Sequence, residues 1–333
     1  MAATIKDISA MTQLSISTIS KYLNGGVLRP ANKEKIEQAI IDLDYRVNEF
    51  ARSLKTNKSM TIGILIPSLN NMFCTQIVSI AEHKFRLHGY SVIVCDTGDD
   101  DIERQVIEFM VNKKVDGIIT MPNSLIGDQF ILPISMNIPI VMFDHRPREM
   151  ICDVVMIDNA FATKRATEYL INKGHTKIGI IIGPQITLTA QERMLGYRTA
   201  YYENNLIVDE NHILYGDYSI DGAYEIVKKA LSSKLDITAL ITTNYDMTIG
   251  TVIAINELGI NIPDELSLIG FDNYQLAQVV KPKISIITQP MDEIGNTVAD
   301  IMLKRLTGKG PDELQIVKFK TGFIEGDSVM DLH

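Results

Sequence analysis

The chain has 333 residues, 46% hydrophobic and 22% charged, enough for a small domain plus one large or two medium ones with ample core. Its net charge of −9 excludes a general nucleic-acid coat, but the charge is unevenly shared: 9 of the 32 Lys and Arg and 6 of the 41 Asp and Glu lie in residues 1–60, leaving +3 there and −12 beyond. The first seven residues carry no signal pattern, no apolar run reaches the length of a membrane span, and Cys74, Cys95 and Cys152 lack metal-ligand spacing; this predicts a cytoplasmic protein with reduced, buried thiols, no metal or cofactor and no membrane attachment.

Thr4 followed by Asp7 predicts a capping box that opens a helix with Ile5, Ile8 and Met11 on one side. Gln13-Leu14 breaks the chain, and Ser15 caps a second helix over residues 16–23, which stops at Asn24-Gly25-Gly26. A third helix is expected over residues 32–43, with Ile36, Ala39, Ile40 and Leu43 inward. Two short helices joined by a tight turn and closed by a third form a helix-turn-helix unit, whose second helix enters the major groove of duplex DNA. Ile16, Ser17 and Lys21 would then meet base edges, with Thr18, Ser20 and Tyr22 nearer the phosphates and Ile19 and Leu23 in the core. The run Ser-Ile-Ser-Thr-Ile-Ser-Lys contains no acid and lies in the only basic region, which favours this over a merely solvated polar face.

Residues 48–56, Asn-Glu-Phe-Ala-Arg-Ser-Leu-Lys-Thr, join the basic and acidic parts. They favour helix over only about two turns, too short to hold alone in water. Such a segment either packs on a neighbour or orders when a partner is present.

Thr-Ile-Lys-Asp-Ile at 4–8, Leu-Ser-Ile-Ser-Thr-Ile-Ser-Lys-Tyr-Leu-Asn at 14–24, Leu-Asp-Tyr-Arg-Val-Asn at 43–48 and Ala-Arg-Ser-Leu at 51–54 resemble the DNA-binding head of the lactose-repressor (LacI/GalR) family. The resemblance continues through most of the chain. It implies DNA contacts from Thr4, Ser15, Ile16, Ser17, Thr18, Ser20, Lys21 and Asn24, and a hinge helix at 48–55 that orders on operator DNA against its dimer mate. Leu54 falls at the leucine this family wedges into the minor groove, where an apolar side chain unstacks a base step and kinks the duplex. Arg52 and Lys55 would supply charge to phosphates. Val47 departs from the proline most common there.

From residue 61 short apolar segments alternate with amphipathic ones. Residues 62–66, 92–95, 117–120 and 139–143 read as buried parallel strands, separated by helices near 73–88, 102–113 and 125–136. A second series has strands at 154–157, 177–182, 212–215, 239–242 and 266–270. Repeated βαβ units predict two doubly wound parallel sheets, an α/β body of two lobes with a ligand cleft beyond the C-terminal strand ends. The boundaries expected are a head at 1–47, a hinge at 48–59 and a body at 60–333, with one lobe near 60–159 and 291–318 and the other near 160–290 and 319–333.

The residues that follow these strand ends are carboxylates, amides, one arginine and aromatics, a set suited to a neutral polyhydroxylated ligand. Met-Ile-Asp-Asn at 156–159, Arg-Met-Leu-Gly-Tyr at 193–197, Asn-Tyr-Asp-Met-Thr-Ile-Gly at 244–250, Gly-Phe-Asp-Asn at 270–273 and Ser-Ile-Ile-Thr-Gln-Pro at 285–290 look like effector-domain motifs of the same family. Carried over by position, Phe73, Asp144, Thr189, Arg193, Tyr218, Asn244, Asp272 and Gln289 line an effector site, while Asp158-Asn159 is structural. Met72 replaces a common proline.

The resemblance therefore implies a sequence-specific repressor of double-stranded operator DNA, controlled by a small sugar or sugar derivative and working as a homodimer, since no heptad extension of the tetramerising kind follows. A catabolite-control branch uses a phosphorylated carrier protein as corepressor, read by a basic residue where Asp300 stands here; Asp300 would repel a phosphate, although Lys304 remains. An enzyme is disfavoured because no dinucleotide, P-loop or Gly-x-Ser-x-Gly motif follows a strand. A sugar-binding transport component would carry a secretion signal in place of the head. Replacing Leu54 with Ala should abolish most operator-specific binding while leaving weak non-specific binding and effector affinity intact, as read by anisotropy on specific and random duplexes.

Overall fold

The computed structural model describes all residues except 1–2, 24–25, 46–57, 124–125, 148, 273, 309 and 312. Asn24, Arg52, Leu54 and Lys55, and most of the expected hinge, lie outside the described residues. The chain forms two compact units, residues 1–59 and 60–333.

In the first unit, α1 (Ile5–Thr12), α2 (Ile16–Leu23) and α3 (Pro30–Asp42) surround a core of Ile8, Ile19, Ile36 and Ala39. Asp7 closes the start of α1, accepting from both the Thr4 backbone and hydroxyl at 2.7 Å. Gln13 takes a left-handed conformation (φ 55°) that turns the chain sharply, and Ser15 Oγ accepts from the Thr18 backbone at 3.2 Å to start α2. Met11, expected inward, is 51% exposed, and Thr12 is buried in its place. At about 100° per residue, Ile5, Ile8 and Thr12 share one narrow stripe, while Met11 falls on its flank. Helix α3 begins two residues earlier than expected, with Pro30 at its first position, where a missing N–H costs nothing.

The second unit contains two six-stranded sheets. The first has the order β11-β5-β4-β3-β1-β2, from β1 (Thr61–Ile66), β2 (Ser91–Asp96), β3 (Gly117–Thr120), β4 (Ile140–Phe143), β5 (Asp153–Ile157) and β11 (Ile316–Phe319). The second has the order β12-β10-β9-β8-β6-β7, from β6 (Ile178–Ile182), β7 (Ile213–Tyr215), β8 (Ala239–Thr242), β9 (Ser267–Phe271), β10 (Ser285–Thr288) and β12 (Gly322–Ile324). Every described pairing is parallel except β10 with β12. Strands such as β3, β4 and β5 are buried at every position because helices cover both faces, which explains their unbroken apolar runs.

Helices α4 (Met72–Leu87), α5 (Asp100–Asn112) and α6 (Ile131–Ser135) flank the first sheet. Helices α7 (Asn159–Asn172), α8 (Leu188–Glu203), α9 (Ile220–Ser232), α10 (Tyr245–Leu258) and α11 (Tyr274–Val279) accompany the second, and α12 (Met291–Thr307) returns to pack on α4. The segment expected as a helix near 125–136 is a single 3-10 turn, Asp128–Phe130, followed by the short α6. Similarly, His212 ends a 3-10 turn and β7 starts one residue later. The chain passes between sheets after β5, after β10 and between β11 and β12. At the foot of the first sheet, Arg305 holds Asp153 through two bonds of 2.7 and 2.8 Å, pinning α12 to β5.

Two helix crossings depend on glycine. A Cβ on Gly196 would lie 2.1 Å from the Ala160 carbonyl oxygen, and one on Gly250 2.1 Å from that of Ile220. Backbone oxygens cannot rotate away as side chains can. Gly250→Ala should therefore destabilise the body by about 1–3 kcal/mol in urea unfolding, whereas Ile253→Ala, exposed on the same helix, should stay within about 0.5 kcal/mol.

Candidate effector cleft and DNA-binding head

The C-terminal strand ends of both sheets enclose a cavity of about 660 Å³, of the size of small-ligand sites. All eight residues expected at an effector site line it: Phe73 on α4, Asp144 after β4, Thr189 and Arg193 on α8, Tyr218 after β7, Asn244 at the start of α10, Asp272 after β9 and Gln289 after β10. Asp144, Tyr218 and Asp272 have φ of 67°, 66° and 74°, a left-handed conformation that non-glycine residues seldom adopt and that turns each side chain off its strand end.

Arg193 is 3% exposed and anchors the polar end of the cavity. Its Nε donates to Asn159 Oδ1 at 2.9 Å, Nη1 donates to the Thr243 carbonyl, and its guanidinium lies 4.2 Å from the centre of the Phe271 ring. Asn159 is thus structural, as expected, and holds the arginine in place. Asp144 Oδ2 accepts from Thr189 Oγ1 at 2.9 Å, so residues following strands of different sheets meet directly across the cleft. Gln289 Nε2 donates to Asp272 Oδ1 at 2.7 Å, which leaves the buried Gln289 Oε1 without a partner among the described residues. Asn244 has a double role, since its Oδ1 caps α10 through the Met247 backbone and its Nδ2 donates to the Tyr218 carbonyl.

The two central carboxyls are tuned in opposite directions. Burial acts to raise Asp144, but the hydrogen bond from His145, the charges of His145 and Arg193 and the Thr189 hydroxyl hold it below the usual carboxylate range. Burial dominates at Asp272 and pushes it up to about 6, against the opposing pull of Arg193 and Gln289. No cluster suited to a metal ion occurs among the described residues.

Several lining residues lie outside the eight expected, among them His145, Asp99, Asp101, Met121, Pro122 and Asn123. They follow β2, β3 and β4, so the rule that ligands meet C-terminal strand ends, applied to every strand, points to them.

In the head, Ser15, Ile16 and Ser17 are exposed at the start of α2 and Lys21 is exposed in its last turn, while Thr18 and Ser20 are half-buried. Ser15 Oγ lies 2.8 Å from the hydroxyls of both Ser17 and Thr18. The Thr4 hydroxyl is engaged by Asp7 in the cap. Tyr22, placed near phosphates by the sequence reading, instead donates to Glu37 Oε1 on α3 at 2.9 Å.

The family of periplasmic binding proteins and sugar binding domains of LacI type matches residues 59–323. The chain belongs to the LacI family. It is 32% identical to the HTH-type transcriptional repressor PurR of Vibrio cholerae over 99% of both chains, and 32% identical to the ribose operon repressor of Escherichia coli over 92% of this chain and 93% of that one. In fold it is similar to a lac repressor dimer bound to operator and the anti-inducer ONPF, with a TM-score of 0.86 and 22% identity over 99% and 100% of the two chains. As a LacI-family chain it is a transcription regulator rather than an enzyme. Among its described residues no helix is long and apolar enough to cross a membrane.

A carboxyl raised by folding weakens the native state once pH exceeds its folded value, and the penalty is relieved as pH falls from about 6 towards 3.8. Asp144, lowered by folding, works with the opposite sign. Asp272→Asn should therefore raise the melting temperature at neutral pH, by up to about 3 kcal/mol in stability, and have little effect near pH 4. Equal effects at both pH values would contradict the burial of Asp272 as its cause.

Proposed function

We propose that this LacI-family chain is a cytoplasmic repressor that binds pseudopalindromic double-stranded operator DNA as a homodimer and is controlled by a small, uncharged, sugar-like effector held in the cleft. In this reading residues 1–47 read the major groove, 48–59 form the hinge with Arg52, Leu54 and Lys55 at the DNA, and 60–333 bind effector and dimerise. The carrying observation is the convergence of all eight expected residues on one cavity whose polar end combines a buried guanidinium, two carboxyls and an orphaned amide oxygen. Guanidinium and carboxylate pair well with neighbouring hydroxyls that both donate and accept, and the orphaned Gln289 oxygen calls for a donor.

The charge of the cavity narrows the ligand class. Asp99, Asp101, Asp144 and Asp272 line it against Arg193, an acidic excess that opposes phosphate or carboxylate ligands. Phe73, Met121, Pro122 and Tyr218 supply apolar wall for the weakly polar face of a sugar ring. A phosphorylated protein corepressor fits less well. Asp300 pairs with Lys84 at 2.7 Å, so an acid stands where that branch has a basic residue and occupies the neighbouring cation too. The head argues against a transport component.

Ribose, suggested by the ribose operon repressor among the relatives, is the first probe, with ribose 5-phosphate and guanine as the anionic and nucleobase comparisons. Calorimetry should detect the free sugar and not the phosphate, and Arg193→Ala should lower sugar affinity by more than about tenfold with the fold intact. Unchanged affinity in both Arg193→Ala and Asp272→Ala, or binding of phosphorylated ligands alone, would overturn the effector assignment. Failure of random-site selection to enrich any duplex sequence would overturn the repressor reading.

A further inference from the structure

His145 follows β4 directly, is 3% exposed and lines the cavity, yet lies outside the set expected there. Its Nδ1 is 2.8 Å from Asp144 Oδ2, and its Nε2 is 2.7 Å from the Pro122 carbonyl oxygen. A carbonyl oxygen and an ionised carboxylate only accept hydrogen bonds. A neutral imidazole has a single N–H and would turn a lone pair towards one of them, whereas the imidazolium donates to both. In so buried a place an opposed pair of acceptors is costly.

The surroundings favour the cation. Asp144 lies on its own turn, Asp272 follows β9, Asp99 and Asp101 come from the start of α5, and the buried Glu103 of α5 holds the Asn123 backbone at 3.2 Å behind the Pro122 loop. Against these acids stands Arg193 from α8, while Cys74 on α4 remains a neutral thiol because burial raises it. Arg146 directs its guanidinium to the Met150 carbonyl, away from this group.

We propose that His145, carrying both ring protons, is the positioning residue that fixes Asp144 for the effector. It saturates Asp144 Oδ2 together with Thr189, so Oδ1, which has no partner among the described residues, is left to accept from the ligand. It also ties that carboxylate to the loop after β3. That loop is in turn bound to the one after β2, through Thr97 Oγ1 donating to Asn123 Oδ1 at 3.3 Å and Asn123 Nδ2 donating to the Gly98 carbonyl at 3.3 Å. One imidazolium thus joins three strand-end loops of the first sheet. Loss of either of its two bonds frees Asp144 or the Pro122 loop, so effector affinity falls.

The test begins without ligand. Two-bond ¹H–¹⁵N spectra of the full-length protein in neutral buffer, labelled at its six histidines, should show one histidine with both ring nitrogens protonated and hydrogen-bonded. That signal should vanish in His145→Gln, and a neutral tautomer should replace it in Asp144→Asn. A wild-type spectrum in which no histidine carries both ring protons overturns the proposal without any variant. A binding arm rests on the effector reading above: in ribose titrations His145→Ala should lose about tenfold or more, and His145→Gln, which keeps one donor, should recover part of it. Wild-type protein that binds no ribose counts against the effector reading alone, since the spectra still decide His145. Ribose affinity unchanged in both variants would overturn the positioning role.

Discussion

A guanidinium removed from water has to be satisfied by its neighbours, and much of the body's architecture meets that requirement at Arg193. Asn159 at the head of α7 takes its Nε, the carbonyl of Thr243 beyond β8 takes Nη1, and the Phe271 ring at the end of β9 covers its face. These partners come from three separate elements around the second sheet, so the arginine is placed only when those elements meet. The carboxyls it attracts, Asp144 and Asp272, follow strands of different sheets and turn through left-handed backbone to reach the cavity. The charge balance of the cleft is therefore also an account of how the lobes meet.

The connections make that meeting adjustable. The chain passes between the sheets at three places, and near these passages Lys318 of β11 lies 3.7 Å from Asp158 and 3.8 Å from Glu192 on α8, both exposed enough to be weak. Inside the cleft the direct link is the Thr189 hydroxyl on Asp144. A ligand that donates to Asp144 and Gln289 and accepts from Arg193 adds bonds to both walls at once, and it favours whichever separation of lobes makes all of them. Coupling to operator binding requires only that this separation differ between the two functional states.

The head obeys a different physics. Only four residues, Ile8, Ile19, Ile36 and Ala39, form its buried core among the described residues, so capping and turn chemistry count for more than they do in the body. Asp7 at the start of α1, Ser15 at the start of α2 and Pro30 at the start of α3 each meet the need of a helix N-terminus in its own way. The same economy leaves the start of α2 exposed, with Ser15, Ile16 and Ser17 and no acid there.

Local chemistry was legible along the chain. Apolar runs without polar interruption identified the parallel strands because both faces of such strands are covered, and the Thr4/Asp7, Ser15 and Asn-Gly-Gly signals bounded the head's helices because caps act within a few residues. The eight cleft residues were legible through their place after strand ends and their resemblance to family motifs. What only the tertiary structure decided were contacts among residues distant in sequence. Tyr22 was drawn to Glu37, fifteen residues on. The opposite tuning of Asp144 and Asp272, alike as aspartates after strands, came from a neighbouring histidine in one case and from burial in the other. His145 is marked in the sequence only by its place directly after β4. Its significance arises because folding brings the Pro122 carbonyl, 23 residues away, to the far side of its ring, and no pattern of nearby residues encodes that distance.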